Sequence, residues 1–316
     1  MKAYPVSQAV VIQAPRKLAW RSVALTEPGA EDVVVRTRFS GISTGTERLF
    51  FTGEMPDFPG MGYPLVPGYE TVGEVVAAGV SASRSVGDWV FVPGANCYQD
   101  AHGLFGGAAS LLVTHSRRVL RIDAALGEHG VMFALAATAH HAVRSVSGGL
   151  PELVVGHGAL GRLIARIVVA LGGTPRVWEV DESRRSGASG YEIVDPARDE
   201  GRRFRSLVDA SGQGSALDRW IAALAPQGEA VLAGFYTQPL QFNFVPAFLR
   251  ETRIRVAAQW SPDDLMAVHA LVERGRLSLA GIVTDLQPAQ DAVSAYPRAF
   301  GDSACLKMVL DWRHVQ

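Results

Sequence analysis

Short apolar runs separated by turn residues dominate the first third of the chain. "QAVVIQAP", "DVVVRTRFSGI", "TVGEVVAAG" and "DWVFVPG" carry β-branched residues between Gly, Pro, Asp or Ser, which predicts strands. Together they predict a compact, mostly β, barrel-like domain. From about Leu126 the pattern changes. "EHGVMFALAATAHHAVRSV" has helical spacing and leads into alternating pieces. These are a strand "ELVVG", a helix "GRLIARIVVALGG", a strand "RVWEVD" and a strand "SLVDASG" closing in a Gly turn. "LDRWIAALAPQGEAVLAGF" follows as helix, Pro-Gly turn and strand. Such alternation with short loops predicts an α/β doubly wound parallel sheet. After about Gly281, "IVTDLQPAQDAVSAYPRAFGDSACLKMVLDW" reads as a strand, short helices and a last strand with no place in that sheet. It is expected to return to the first domain. The expected division is therefore residues 1–125 completed by 282–316, and residues 126–281.

Composition narrows the function classes. With 316 residues the chain can build two domains, and a net charge of −1 gives no footprint for nucleic acid or an anionic membrane surface. The start, "MKAYPVSQAVVIQAP", has no signal-peptide core, and the apolar run "VMFALAATA" is too short to span a bilayer. No transmembrane segment is expected. Two distant cysteines, Cys97 and Cys305, fit a reducing cytoplasm.

Gly156, His157, Gly158, Ala159, Leu160 and Gly161 spell "GHGALG" between a predicted strand and a predicted helix. In that context G-x-G-x-x-G is a dinucleotide fingerprint. The first glycine permits the tight turn, the second lets the backbone approach a pyrophosphate, and the third lets helix pack on strand. The helix N-terminus favours the anion. Asp181 ends "VWEVD" about twenty residues on, where an acid accepts hydrogen bonds from the adenosine ribose and repels a 2′-phosphate. That favours NAD as cofactor. Glu179 is the alternative if the strand register differs, and Asp181 could equally cap the following turn. Arg184 and Arg185 follow closely, in positions where arginines can accept a 2′-phosphate. Ser211 and Gly234, in the turns after two later strands, complete the expected cofactor set.

"SGISTGTE", "VPGYETVGEVVAAG", "VGDWVFV", "VVGHGALG", "LVDASG" and "LAPQGEAVLAGF" together resemble the medium-chain dehydrogenase/reductase superfamily over essentially the whole chain. The resemblance implies a β-rich GroES-like catalytic domain beside a Rossmann domain. Zinc-dependent members hold catalytic zinc with Cys, His and a third Cys or acid. In this chain those positions fall on Ser43, Tyr69 and the neighbourhood of Ala134. Only Cys97 lies where a four-cysteine structural lobe is expected. No metal is expected at either site. His140 and His141, adjacent on a helix, are expected to point in different directions rather than to share a ligand.

"GEMPDFPGMGYPLVPGYE", "VFVPGANCY" and "GLFGGAA" resemble one branch, the bacteriochlorophyllide dehydrogenases. That likeness implies NAD-linked oxidation of a 3-(1-hydroxyethyl) group on a chlorin or bacteriochlorin to 3-acetyl. The loop "FFTGEMPDFPGMGYPL" could wall a flat macrocycle, or its aromatics could fill the domain core. By the family pattern, Tyr69, Thr46, Ser43, Thr44 and Glu70 lie near the reacting group. Thr46 begins the family's proton relay, but the relay histidine is replaced by Leu49. Tyr69 either handles the hydroxyl proton, which needs its pKa of about 10 lowered, or fills the vacated metal site. Glu70 and Glu47 either serve the chemistry or brace the loop. Two rivals remain: a zinc-free quinone or enoyl reductase, and a non-catalytic dinucleotide-binding sensor. A homodimer could form through an edge supplied by "GEAVLAGFYTQPLQFNF".

Overall fold

The computed structural model describes residues 6–56, 59–236 and 238–315. Met1–Pro5, Asp57, Phe58, Thr237 and Gln316 lie outside the described residues, so parts of the expected macrocycle loop and of the expected dimer segment do too. The chain divides into two units, Met1–Met132 with Ile282–Gln316, and Phe133–Gly281.

In the first unit, β1 (Val6–Ala14) and β2 (Lys17–Ala24) form a hairpin. β3 (Asp32–Gly41), β4 (Thr71–Ala78) and β5 (Trp89–Val92) form an antiparallel run. β6 (Leu111–His115) pairs with β3, and β7 (Leu120–Arg121) with β5. The alternation of β-branched residues puts Val33 and Val35 of β3 in the core, and Val72 and Val75 of β4 are buried as well. α1 (Thr46–Thr52) follows β3 and ends on the left-handed Gly53. The C-terminal segment supplies β14 (Asp285–Pro288), α7 (Ala292–Gly301) and β15 (Met308–Asp311). β15 pairs antiparallel with β3 and parallel with β14. The first unit runs on to Met132, beyond the expected 125. Gly130 packs against Ile122 and Val72, which ties the irregular Ala124–Met132 segment to this sheet.

The second unit contains α2 (Phe133–Arg144), β8 (Leu153–Val155), α3 (Ala159–Ala170), β9 (Arg176–Trp178) and β10 (Glu192–Val194). β11 (Phe204–Asp209), α4 (Leu217–Ala223), β12 (Leu224–Leu232), α5 (Phe244–Arg250), β13 (Arg253–Val256) and α6 (Pro262–Glu273) follow. The six strands are all parallel, in the order β10-β9-β8-β11-β12-β13. This is the doubly wound order of dinucleotide-binding sheets.

Two expectations need correction. The Pro-Gly turn before "EAVLAGF" is absorbed into β12 as an irregularity at the register shift, with Gln227 at φ 60°. β12 is also no edge, because β11 and β13 flank it. The edge on that side is β13, and all four of its residues are exposed. Among the described residues, no helix is long and apolar enough to cross a membrane. Cys97 and Cys305 are buried and unpaired.

Candidate functional site

The loop "GISTGTE" leaves β3 and enters α1, while "GYE" enters β4 beside it. The antiparallel pairing of β3 with β4 brings these two loops together. The Tyr69 hydroxyl lies 2.5 Å from Ser43 Oγ and 3.3 Å from Thr46 Oγ1. These three form a small hydroxyl cluster. Burial, helped by the negative charge of Glu70, pushes the Tyr69 phenol well above its ordinary pKa, while the Ser43 and Thr46 hydrogen bonds oppose the shift. From sequence, proton acceptance by Tyr69 depends on a lowered pKa, and the shift runs the other way. The phenol is held protonated, because desolvation disfavours phenolate.

Thr44 is exposed and makes no side-chain hydrogen bond among the described residues, so it stands outside the cluster. Glu70 is fully buried. Its carboxylate accepts bonds of 2.9 and 2.7 Å from Lys307 Nζ, which also donates to the Ile42 carbonyl at 3.2 Å. Glu70 is thus a brace rather than a group facing the cluster. Glu47 is buried too. Its carboxylate accepts from Ser43 N at 3.0 Å and from the Tyr296 hydroxyl at 2.7 Å. Burial lifts its pKa to about 7 against the pull of those two bonds. Lys307 and Tyr296 escaped the sequence reading. The one signal was Lys307 itself, a lone cation in the apolar run "ACLKMVL" that needs a buried partner.

The donor set does not suit zinc. Ser43 and Tyr69 offer neutral hydroxyls that bond each other, and Ala134 offers no donor. His140 and His141 converge instead of diverging: their Nδ1 atoms lie 2.8 and 3.0 Å from the two oxygens of Asp264. Asp264 also closes the capping box of α6 with Ser261. The pair therefore ties α2 to α6. Among the described residues, no group of three or more His, Cys, Asp or Glu side chains is arranged to hold a metal.

In the second unit the fingerprint forms the turn between β8 and α3. Gly156 has φ 92° and lies close to Ser211, and a Cβ on Gly161 would overlap the Gly156 carbonyl oxygen. Gly158 begins α3 with no side chain capping the helix, and a Cβ there would meet nothing closer than Arg184 at 4.0 Å. The uncapped N–H groups and open space fit a pyrophosphate. Ala159 and Leu160 open the first turn of α3.

The turn is wired from below. Glu179 is buried and accepts from the backbone N–H groups of His157 (2.7 Å) and Asp181 (2.8 Å). His157, fully buried, lies 2.6 Å from the Arg184 carbonyl through Nδ1 and 2.8 Å from the Tyr191 hydroxyl through Nε2. Nδ1–H donates to the carbonyl, and Nε2 accepts from the phenol. Burial drives its pKa down to about 4. Asp181 is half-buried and accepts from Ser183 N at 3.0 Å and Ser183 Oγ at 2.6 Å. It caps the following turn, as the sequence allowed, yet keeps its carboxylate at the surface. Arg185 is committed to Asp195 at 2.7 Å, and Arg184 Nε stands 3.7 Å from Asp181. Ser211 Oγ donates to buried Asp209 at 2.6 Å, and Asp209 also accepts from the Tyr236 hydroxyl. Gly234 allows its strand end to approach Gly212.

The chain is 54% identical over 311 residues to 2-desacetyl-2-hydroxyethyl bacteriochlorophyllide A dehydrogenase of Cereibacter sphaeroides, covering 96% of this chain and 98% of that one. The protein of the same name from Rhodobacter capsulatus is 52% identical over 97% of this chain and 98% of its own. The chain belongs to the bacteriochlorophyllide dehydrogenase family. That family sits in the medium-chain dehydrogenase/reductase superfamily, and residues 29–124 match the alcohol dehydrogenase GroES-like domain. Solved structures share the fold. An alcohol dehydrogenase from Escherichia coli CFT073, complexed with NADH, superposes with a TM-score of 0.81 at 20% identity, over 97% of this chain and 99% of that one. 2R,3R-butanediol dehydrogenase from Bacillus subtilis does so at 0.83 and 19%, with the same coverage.

Proposed function

We propose that the protein oxidises the 3-(1-hydroxyethyl) group of a chlorin or bacteriochlorin to 3-acetyl, with NAD and without zinc. The substrate rests on the two full-length relatives. The zinc-free chemistry rests on one observation: the hydroxyls of Ser43 and Tyr69, the residues that the family pattern aligns with metal ligands, are bonded to each other at 2.5 Å.

A nicotinamide dinucleotide, when bound, supplies the hydride acceptor. The uncapped start of α3 and the open face of Gly158 hold its pyrophosphate. Asp181 binds the ribose diol and repels a 2′-phosphate, which favours NAD over NADP. The hydroxyl proton leaves through the cluster. Tyr69 takes the proton of the substrate hydroxyl as it hands its own to Ser43 or Thr46, and half-exposed Thr46 releases a proton to solvent, so no free phenolate forms and the raised pKa is no obstacle. A hydroxyl both donates and accepts, which suits it to such a chain. Positive charge developing at the carbinol carbon spreads into the conjugated macrocycle, which lessens the need for a Lewis acid.

β13 offers a surface for a second copy of the chain. Its outer side has no strand partner among the described residues, and Val245, Phe248 and Leu249 of α5, just before it in the chain, are exposed at 62%, 64% and 71%. A symmetric dimer pairing β13 with β13 would cover both. Buried thiols at Cys97 and Cys305 suit a reducing cytoplasm. Turnover of the hydroxyethyl pigment with NAD by chelator-treated protein tests the central reading. A protein that binds NAD yet oxidises no such pigment would overturn it.

A further inference from the structure

The first unit carries a cavity of about 550 Å³, within the range of small-molecule sites. Leu104, Phe105, Gly60 and Tyr98 form its apolar wall, and His102 and Arg118 its polar part. No carboxylate lines it among the described residues.

Phe105 links this cavity to the hydroxyl cluster. Its ring packs edge-on against Tyr69 at 4.9 Å and tilted against Phe50 at 6.2 Å. The backbone there has φ 71°, a left-handed conformation rare for a bulky side chain. It is fixed by a hydrogen bond from Ala95 N to the Phe105 carbonyl. Phe105 is thus held where one ring serves both places. His102 packs against Gly62, where a Cβ would come within 2.6 Å of its ring. Arg118 ends the turn Ser116–Arg118, is exposed, and has no hydrogen-bond or ion-pair partner among the described residues. Its neighbour Arg84, by contrast, is bonded to the Val119 carbonyl at 3.1 Å.

We propose that this cavity seats the macrocycle of the substrate and that Arg118 pairs with the macrocycle's free propionate carboxylate. The proposal rests on the function proposed above. A chlorophyllide lacks the esterifying alcohol, so it presents a flat apolar ring with one anionic arm. The cavity matches both features: an aromatic wall that reaches Tyr69, and a single uncommitted guanidinium. A planar guanidinium binds a carboxylate through two parallel hydrogen bonds and gains little from an ester.

The test compares the hydroxyethyl pigment as free acid and as propionate methyl ester, using wild type, Arg118→Gln and Arg118→Lys, with NAD saturating. For an exposed charge pair the expected preference of wild type for the acid is about five- to tenfold in KM, with kcat alike for both. Arg118→Gln should raise the KM of the acid to that of the ester and leave kcat within about twofold. Arg118→Lys should keep part of the preference. An acid-to-ester ratio unchanged in Arg118→Gln would overturn the assignment of the cavity while leaving the proposed function standing. Failure of wild type to oxidise either pigment would overturn the function itself, and the proposal with it.

Discussion

Lys307→Met should be among the most destabilising single changes in the first unit. Lys307 is 3% exposed and Glu70 fully buried, and all three ammonium protons are used, two on Glu70 and one on the Ile42 carbonyl. Removing the cation strands a carboxylate next to a second buried acid, Glu47. Breaking a buried pair in this way costs about 3–5 kcal/mol, a large share of the roughly 5–15 kcal/mol that holds a domain together. The double variant Glu70→Met/Lys307→Met leaves no charge behind. Only the Ile42 carbonyl then lacks its donor, at about 1 kcal/mol. Urea unfolding followed by tryptophan fluorescence suits the measurement, because Trp20 stacks on Trp312 at 5.4 Å within the same unit. Lys307→Met should lower the midpoint of that unit's transition, and the double variant should recover most of the loss. A single variant within about 1 kcal/mol of wild type, or a double variant as unstable as the single, would refute the reading of Glu70 as a brace paired to Lys307.

Asp181→Ser should weaken NAD binding and improve NADP binding, read as a fall in the ratio of their dissociation constants; equal affinity of wild type for both cofactors would remove Asp181 from the ribose site. Tyr69→Phe should slow turnover by about a hundredfold or more with little change in stability, whereas a rate within a few-fold of wild type would mark Tyr69 as space-filling and shift attention to Thr46→Val. His157 has a folded pKa near 4, below the usual 6.5, so the unfolded chain binds the proton more readily. Its contribution to stability is complete above pH 6.5 and is lost as pH falls towards 4, by up to about 3 kcal/mol; thermal unfolding of His157→Gln should show a shallower acid slope than wild type, and identical slopes would refute the assignment.

The strands and the fingerprint were legible because they depend on local pattern. Val33 and Val35 alternate with less buried neighbours as a half-buried sheet requires, and "GHGALG" names its own turn. What escaped depends on pairing across long stretches of sequence. Lys307 meets Glu70 across 237 positions and Tyr296 meets Glu47 across 249, and no spacing rule reaches so far. Glu179 and Asp181 looked interchangeable in sequence, and backbone geometry separates them: Glu179 turns inward to the N–H groups of His157 and Asp181, while Asp181 stays at the surface. His140 and His141 failed the simple helix-face argument because side-chain torsions let both reach one carboxylate, Asp264. The loop around Phe50 proved mixed. Phe50 fills the core with Ile12 and Leu65, while Met55, Met61 and Tyr63 are only partly buried around it.

The measurement closest to the central claim is a single reaction: purified protein, dialysed against chelator and assayed for zinc, mixed with NAD and the 3-(1-hydroxyethyl) bacteriochlorophyllide. Pigment absorbance and NADH are followed together. The account predicts acetyl pigment and NADH in equal amounts from protein holding far less than stoichiometric zinc, with no gain when zinc is restored. Activity that disappears with the metal and returns with it would contradict the account.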